Sequence, residues 1–272
     1  MRVRAVCLLV ALTVTVARPS AQSPPIDALM ERVAVYVHRF VEQFSNVVAE
    51  EQFVPERLLG DRRHLRSDYL LVRYPGSNST FLTFRDVVQI NGVAVGDQQD
   101  QLSKLFLQSF ESAVQQANAI TRHSAKYLSP MSDPLLGIAF LQRDYQPRFR
   151  YTLGDKDASV GPGVRRIRLD ETHSPTILRR ANPDRDLVSH GSAWVVESTG
   201  RVVKTEMEVG RAPTTTLTTT FRFDEALQID VPAQMVESYR DQVGIRLRAV
   251  ATYTRFRRFA VRTEEAIESP SR

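Results

Sequence analysis

Five histidines, one adjacent pair of glutamates and a run of arginines near the C-terminus are the residues of this chain most able to do chemistry. His38, His64, His123, His173 and His190 are scattered. No two stand four apart, so no helix face carries paired imidazole ligands, and HExxH is absent. Each reads as a surface or structural residue. His190-Gly191-Ser192-Ala193-Trp194 comes nearest to a nucleophile elbow, but it lacks the second glycine and opens a strand rather than a helix. Neither a phosphate-binding glycine loop nor a dinucleotide fingerprint occurs. Glu50-Glu51 cannot act together from a strand, where neighbours point to opposite faces; the pair reads as a solvated helix end. Asp155-Lys156-Asp157 and Asp184-Arg185-Asp186 carry fragments of calcium-loop spacing without its glycine and distal glutamate, and read as turns. Arg246, Arg248, Arg255, Arg257, Arg258 and Arg262 interleave with Tyr253, Phe256 and Phe259. Such a strand can bind nucleic acid or an acidic lipid headgroup. It reads better as the wet face of an edge or near-terminal strand, where charge guards against association. No residue is assigned a catalytic, cofactor-binding or metal-ligating role, and no cofactor is expected.

The N-terminus explains why nucleic acid is an unsuitable partner. Arg2 and Arg4 precede an apolar run, Ala5–Ala17, and Arg18–Ala21 then turns polar and small. That order is a secretory signal peptide, 1–21. Its run of about 13 residues is shorter than the roughly 20 that cross a bilayer, and no later segment comes near that length without a charge. The mature protein is expected in the periplasm or secreted, with no membrane span. Cys7, the sole cysteine, leaves with the peptide, and thiol chemistry leaves with it. The whole chain has a net charge of +5; losing Arg2, Arg4 and Arg18 leaves 33 basic against 31 acidic residues, a net +2. Near-neutrality gives no electrostatic reason to meet nucleic acid.

The elements that must position any site are helical first and β afterwards. Ile26 to about Glu50 has apolar residues at helical spacing, including Leu29, Val33, Val37, Phe40, Phe44 and Val47. Gln52–Leu59, Asp68–Tyr74 and Phe81–Ile90 are strand-like, and Asn91-Gly92 marks a hairpin. Helical character returns from about Gln98 to Leu128, with a break near Ser109–Ser112. Asp133-Pro134 signals a short helix over the all-apolar Leu135–Leu141. After Pro147 the pattern is β: Phe149–Leu153, Val164–Leu169, an irregular excursion over His173–Gly191, then the hairpin Ala193–Glu197 and Arg201–Val209. Thr214–Phe223, Gln234–Arg240 and Ile245–Phe256 alternate apolar with polar residues, as in an antiparallel sheet with one wet side. The expected class is α+β: a single curved antiparallel sheet, half-barrel-like, with a long N-terminal helix and a helical insert packed on one face. Residues 22–262 are expected to form one domain, and 263–272 a flexible tail.

The phrases Ser198-Thr199-Gly200-Arg201-Val202-Val203-Lys204-Thr205-Glu206, Val231-Pro232-Ala233-Gln234-Met235 and Ala251-Thr252-Tyr253-Thr254-Arg255-Phe256 resemble the hairpin and final strands of the periplasmic lipoprotein-carrier fold. That group includes lipoprotein localisation factors and related sensor domains, and the chain also resembles exported bacterial proteins of similar length. The resemblance implies a cavity between sheet and helices that accepts a lipid or other apolar ligand. Its lining would be Leu135, Ile138, Phe140, Met207, Leu217, Phe221, Phe223, Leu247 and Tyr253. Filling of an ordinary core is the other reading of those residues. An envelope protein partner recognised by the β surface, or a hydrolase with dispersed residues, are the alternatives to a ligand carrier.

Overall fold

The computed structural model describes residues 26–56, 63–73, 81–95, 104–105, 110–127, 131–181, 184–211 and 213–259. The segments expected as a signal peptide (1–21) and a tail (263–272) lie outside the described residues.

Helix α1 (Ile26–Phe44) buries Leu29, Val33, Val37, Phe40, Val41 and Phe44 along one stripe. It ends six residues before the expected point. The Ser45 amide still donates to the Val41 carbonyl, but Asn46 then adopts a left-handed conformation (φ 64°) and the chain turns directly into β1 (Val47–Pro55). Glu50 and Glu51 are therefore mid-strand and buried, not a solvated helix end.

The remaining strands of the large sheet are β2 (Leu65–Arg73), β3 (Phe81–Ile90), β4 (Val93–Ala94), β5 (Phe149–Lys156), β6 (Val164–Glu171), β9 (Ser189–Val196), β10 (Val202–Val209), β11 (Thr214–Asp224), β12 (Ile229–Asp241) and β13 (Gly244–Arg258). The irregular excursion contains a small hairpin of its own, β7 (Arg179–Ala181) with β8 (Asp184–Asp186). The large sheet is antiparallel, open, and ordered β4-β3-β2-β1-β13-β12-β11-β10-β9-β6-β5. The first and last strands pair at its centre. β13 is thus an interior strand, which corrects the edge placement of the arginine run.

Curvature follows from packing. α1 contacts β2, β10, β12 and β5. β2 and β5 are eight places apart in the order, about 38 Å in a flat sheet at roughly 4.8 Å per strand. A helix of 19 residues is only about 28 Å long. The sheet therefore curls around α1. Its inner face carries Ala49, Phe53, Tyr69, Leu71, Met235 and Ala251, in one core with the α1 stripe.

The helical insert runs from one edge of this sheet to the other, and it divides. Its described helix α2 (Phe110–Ser124) packs Ala113 and Ala117 on the outer-face residues Val48, Leu70, Val72 and Phe84. It also covers the β3 edge: Thr121 Oγ1 accepts the Arg85 amide at 3.1 Å, and Ser124 Oγ accepts the Val87 amide at 3.0 Å. Side-chain oxygens thus satisfy edge amides that would otherwise invite another strand. The later part, residues 131–148, crosses the inner face as a strap. It includes helix α3 (Leu136–Phe140) and buries Leu135, Ile138 and Leu141 with α1. The N-cap of α3 is Leu135, with no side-chain cap, so Asp133 is not the helix cap expected; it stands in the preceding turn, where it accepts the Leu135 amide at 2.8 Å. The helix expected from about Gln98 is described only at 104–105 and from Phe110; it passes through Ser112 unbroken, and residues 106–109 lie outside the described set.

Candidate functional site

The strap is held to the sheet by charged and hydroxyl side chains set into an apolar core. Glu51, on the inner face of β1, has no accessible surface. Arg85 of β3 grips it with two bonds, Nε to Oε2 at 2.6 Å and Nη2 to Oε1 at 2.8 Å. Tyr253 of β13, directly opposite Glu51, donates its hydroxyl to Oε1 at 2.8 Å. The Arg85 guanidinium lies 5.4 Å from the Tyr69 ring centre, and Tyr69 meets Tyr253 edge to face at 5.8 Å. Tyr69 in turn donates to Asp133 of the strap at 2.9 Å, and Thr83 donates to the other Asp133 oxygen at 2.6 Å. The next strap residue back, Ser132, donates to Glu237 of β12. Burial pushes both tyrosine hydroxyls well above their ordinary range, so they act as donors throughout the working pH.

These groups border a half-open pocket of about 350 Å³ at the β3 edge, lined by Tyr69, Thr83, Arg85, Thr121, Ser132 and Asp133 among others. Two further grooves flank α1. One, about 360 Å³, runs along Val35, Val37 and Val41 to Gln142; the other, about 320 Å³, runs along Tyr36 and Phe40 to Phe223 and Asp230.

Glu237 gives this site a pH dependence. Burial raises its carboxyl above the ordinary value of 4.5; the Glu51 charge adds to that, while the Ser132 hydrogen bond and Arg85 oppose it. The folded chain therefore holds this proton more tightly than the unfolded chain. Stability falls as pH rises from 4.5 through the raised folded value. Glu237→Gln keeps an acceptor for Ser132 and removes the titration. Compared with the natural chain by urea midpoint, it is expected to be the more stable at pH 8, with the gain closing below pH 4.5. A difference that does not change between those pH values would refute the assignment.

On the outer face the second glutamate anchors a separate row. Glu50, Asp68 and Asp86 stand directly opposite one another across β1, β2 and β3. Arg255 reaches Glu50 at 3.2 Å and Arg257 reaches Asp68 at 3.2 Å. Arg248 pairs with Glu56 at 3.5 Å. The β13 arginines thus neutralise carboxylates of neighbouring strands. Arg246 and Arg262 have no described side chain. Among the described residues no group of three or more metal-ligating side chains comes together. The two aspartate phrases are strand rather than turn: Asp155 and Lys156 end β5, with Asp157 just beyond accepting from Trp194 at 2.9 Å, and Asp184–Asp186 form β8, where Asp184 and Asp186 pair with Arg179.

Seven of the nine predicted lining residues lie in the inner core: Leu135, Ile138, Phe140, Met207, Leu217, Phe221 and Tyr253, each nearly or fully buried. Phe140 and Met207 join Phe149 and Leu169 under the strap, and Gly137 approaches so close that an added methyl would lie 2.5 Å from Thr205. Leu247 is half-buried. Phe223, two residues beyond the buried Phe221 and near the end of β11, is 48% exposed in the groove beside α1 rather than buried. Sequence reasoning missed Glu51, Arg85, Tyr69 and Asp133, since their proximity rests on pairings between distant segments. Asp133 was legible only as a helix cap.

No protein-family model matches the chain, and no curated protein does. Similar solved structures include a candidate outer membrane lipoprotein-sorting protein domain from Vibrio parahaemolyticus, at 12% identity and TM-score 0.48, covering 88% of this chain and 96% of that one. A DUF1329 family protein from Desulfovibrio piger is 13% identical at TM-score 0.47, covering 86% and 93%. A LolA superfamily protein from Nitrosomonas europaea is 12% identical at TM-score 0.41, covering 86% and 94%. These likenesses carry neither a ligand nor a residue to this chain.

Proposed function

We propose that the protein is an exported, non-catalytic binder that takes an apolar ligand between the inner sheet face and the strap. The supporting observation is the strap itself. It lays Leu135, Ile138 and Phe140 across an apolar sheet face, yet its regular helix is only five residues long. Its near end is fastened by hydrogen bonds from Tyr69, Thr83 and Ser132. Hydrogen bonds to carboxylates contribute about 1.5–3 kcal/mol each net, so a cover fastened by three of them can be displaced by a ligand that buries enough apolar area to offset them. The seat is filled by the strap's own side chains while it is closed. A ligand that replaces those side chains keeps the sheet face dry, which is what drives the exchange. The N-terminal segment, read as an export signal, supports an activity in the cell envelope or outside it.

The reading is tested by organic extraction of the mature protein purified from the exported fraction, with mass spectrometry of the extract. An apolar compound near one per chain is the expected result. An extract without one, together with failure of the purified protein to take up cis-parinaric acid, would overturn it.

A further inference from the structure

We infer that the pocket at the β3 edge is a separate binding site for a small apolar molecule bearing a neutral carbonyl group. It exists with the strap in place, so it does not depend on the reading above.

The inventory of hydrogen-bonding groups in the pocket decides the ligand chemistry. The one carboxylate of the wall is well engaged: Asp133 already receives Tyr69, Thr83 and the Leu135 amide. Three donor groups are also committed: the Tyr69 and Thr83 hydroxyls to Asp133, and the Ser132 hydroxyl to Glu237. Three donors have spare capacity. Arg85 uses Nε and Nη2 on Glu51, leaving Nη1 without a partner among the described residues. Nη1 is not one of the sealed, unpaired side-chain atoms, and 11% of the Arg85 side chain remains accessible. The Thr121 and Ser124 oxygens accept strand amides, and each hydroxyl keeps a proton to donate. A pocket whose carboxylate is engaged and whose guanidinium, which can only donate, keeps a spare N–H recognises an acceptor.

Charge selects a neutral acceptor over an anion. The Arg85 charge is already matched by the Glu51 carboxylate, and Asp133 stands at the wall with no ion-pair partner among the described residues. A ligand carboxylate would bring a third negative charge beside these two in a partly dry site, where like charges are costly. An amide, ester or lactone carbonyl accepts the same bonds without that cost. Arg122 lies exposed at the rim, where solvent and salt screen it. The remaining wall, including Phe84 and Ala125, is apolar, and about 350 Å³ falls within the usual range of small-ligand pockets.

Octanamide, octanoate and octylamine share one chain and differ in head group, and they are the probes. Titration calorimetry at pH 7.5 is expected to show saturable octanamide binding, with octanoate and octylamine at least tenfold weaker. Ala125→Trp fills the mouth from an exposed position and touches none of the network; it is expected to weaken octanamide at least tenfold. The paired change Glu51→Leu with Arg85→Met removes the donor without leaving a buried charge, and is expected to weaken octanamide likewise. Absence of octanamide binding, octanoate binding as tight as octanamide, or binding unaffected by Ala125→Trp would each overturn the proposal. Uptake of cis-parinaric acid that survives Ala125→Trp, with octanamide lost, separates this pocket from the seat under the strap.

Discussion

Glu51→Leu is expected to lower the unfolding free energy by about 3 kcal/mol, and Arg85→Met by about 5, the two ends of the range for breaking a buried ion pair. The order follows from access. Arg85 keeps a path to water through the β3-edge pocket, whereas Glu51 has none. In Glu51→Leu, the guanidinium turns toward that pocket and the Tyr253 hydroxyl loses its acceptor. In Arg85→Met, the Glu51 carboxylate loses both guanidinium bonds and keeps only Tyr253. Arg85 opposes the upward shift of Glu237 and Glu51 adds to it, so the Arg85→Met loss should grow with pH and the Glu51→Leu loss should shrink. The double variant removes both charges and is expected to recover most of the deficit. Urea unfolding of the two single variants and the double at pH 5 and pH 8 measures all of this. Additive losses would show that the pair is not coupled, contrary to its bidentate geometry.

The hidden placement of Glu51 shows what a sequence can and cannot reveal here. The apolar stripe of α1 keeps helical spacing through Val47 and Val48, which are in fact the first residues of a strand. Asn46 carried the stop signal, since asparagine is among the few residues that adopt a left-handed conformation cheaply. Extending the helix past it put both glutamates at a solvated end. Local alternation did locate β10 to β13 and the inner-facing Met207, Leu217, Ala251 and Tyr253. It overreached at Phe223, which lies near the strand end and is exposed beside α1. It was also silent on sheet order. β13 is terminal in sequence but central in space because it pairs with β1, some 200 residues away. Glu51 and Tyr253 meet only through that pairing, and Asp133 reaches Tyr69 only because the insert crosses from one sheet edge to the other. The fold class rests on local patterns, whereas the site rests on long-range pairings.

One short phrase joins local pattern to global packing, and substitution at its glycine is expected to have the second largest effect. Gly200, in the β9–β10 turn, has φ +73°, and a methyl there would lie 2.4 Å from the carbonyl carbon and oxygen of Arg32 in α1. Two costs add in Gly200→Ala. The left-handed conformation costs about 1–2 kcal/mol for a residue with a side chain. The clash is with helix backbone, which cannot swing aside, and overpacking of this kind costs about 1–3 kcal/mol. Relief requires α1 to move away from the turn. That movement stretches the bond from Arg32 Nε to the Glu197 carbonyl (2.9 Å) and the one from the Tyr36 hydroxyl to Asp230 (3.0 Å). Asp230 is itself held by Arg201 of the same turn at 2.7 Å, so the seam loosens as a unit. Gly92 supplies the control. It has a similar φ of +82° but meets nothing within 4 Å, so Gly92→Ala carries the conformational cost alone. Urea unfolding is expected to show a loss of about 3 kcal/mol or more for Gly200→Ala and about 1 for Gly92→Ala. Equal losses would mean that the approach of the turn to α1 sets neither the position of the helix nor its stability. A larger loss at Gly200 would identify the glycine as the point where the hairpin fixes α1 inside the curved sheet.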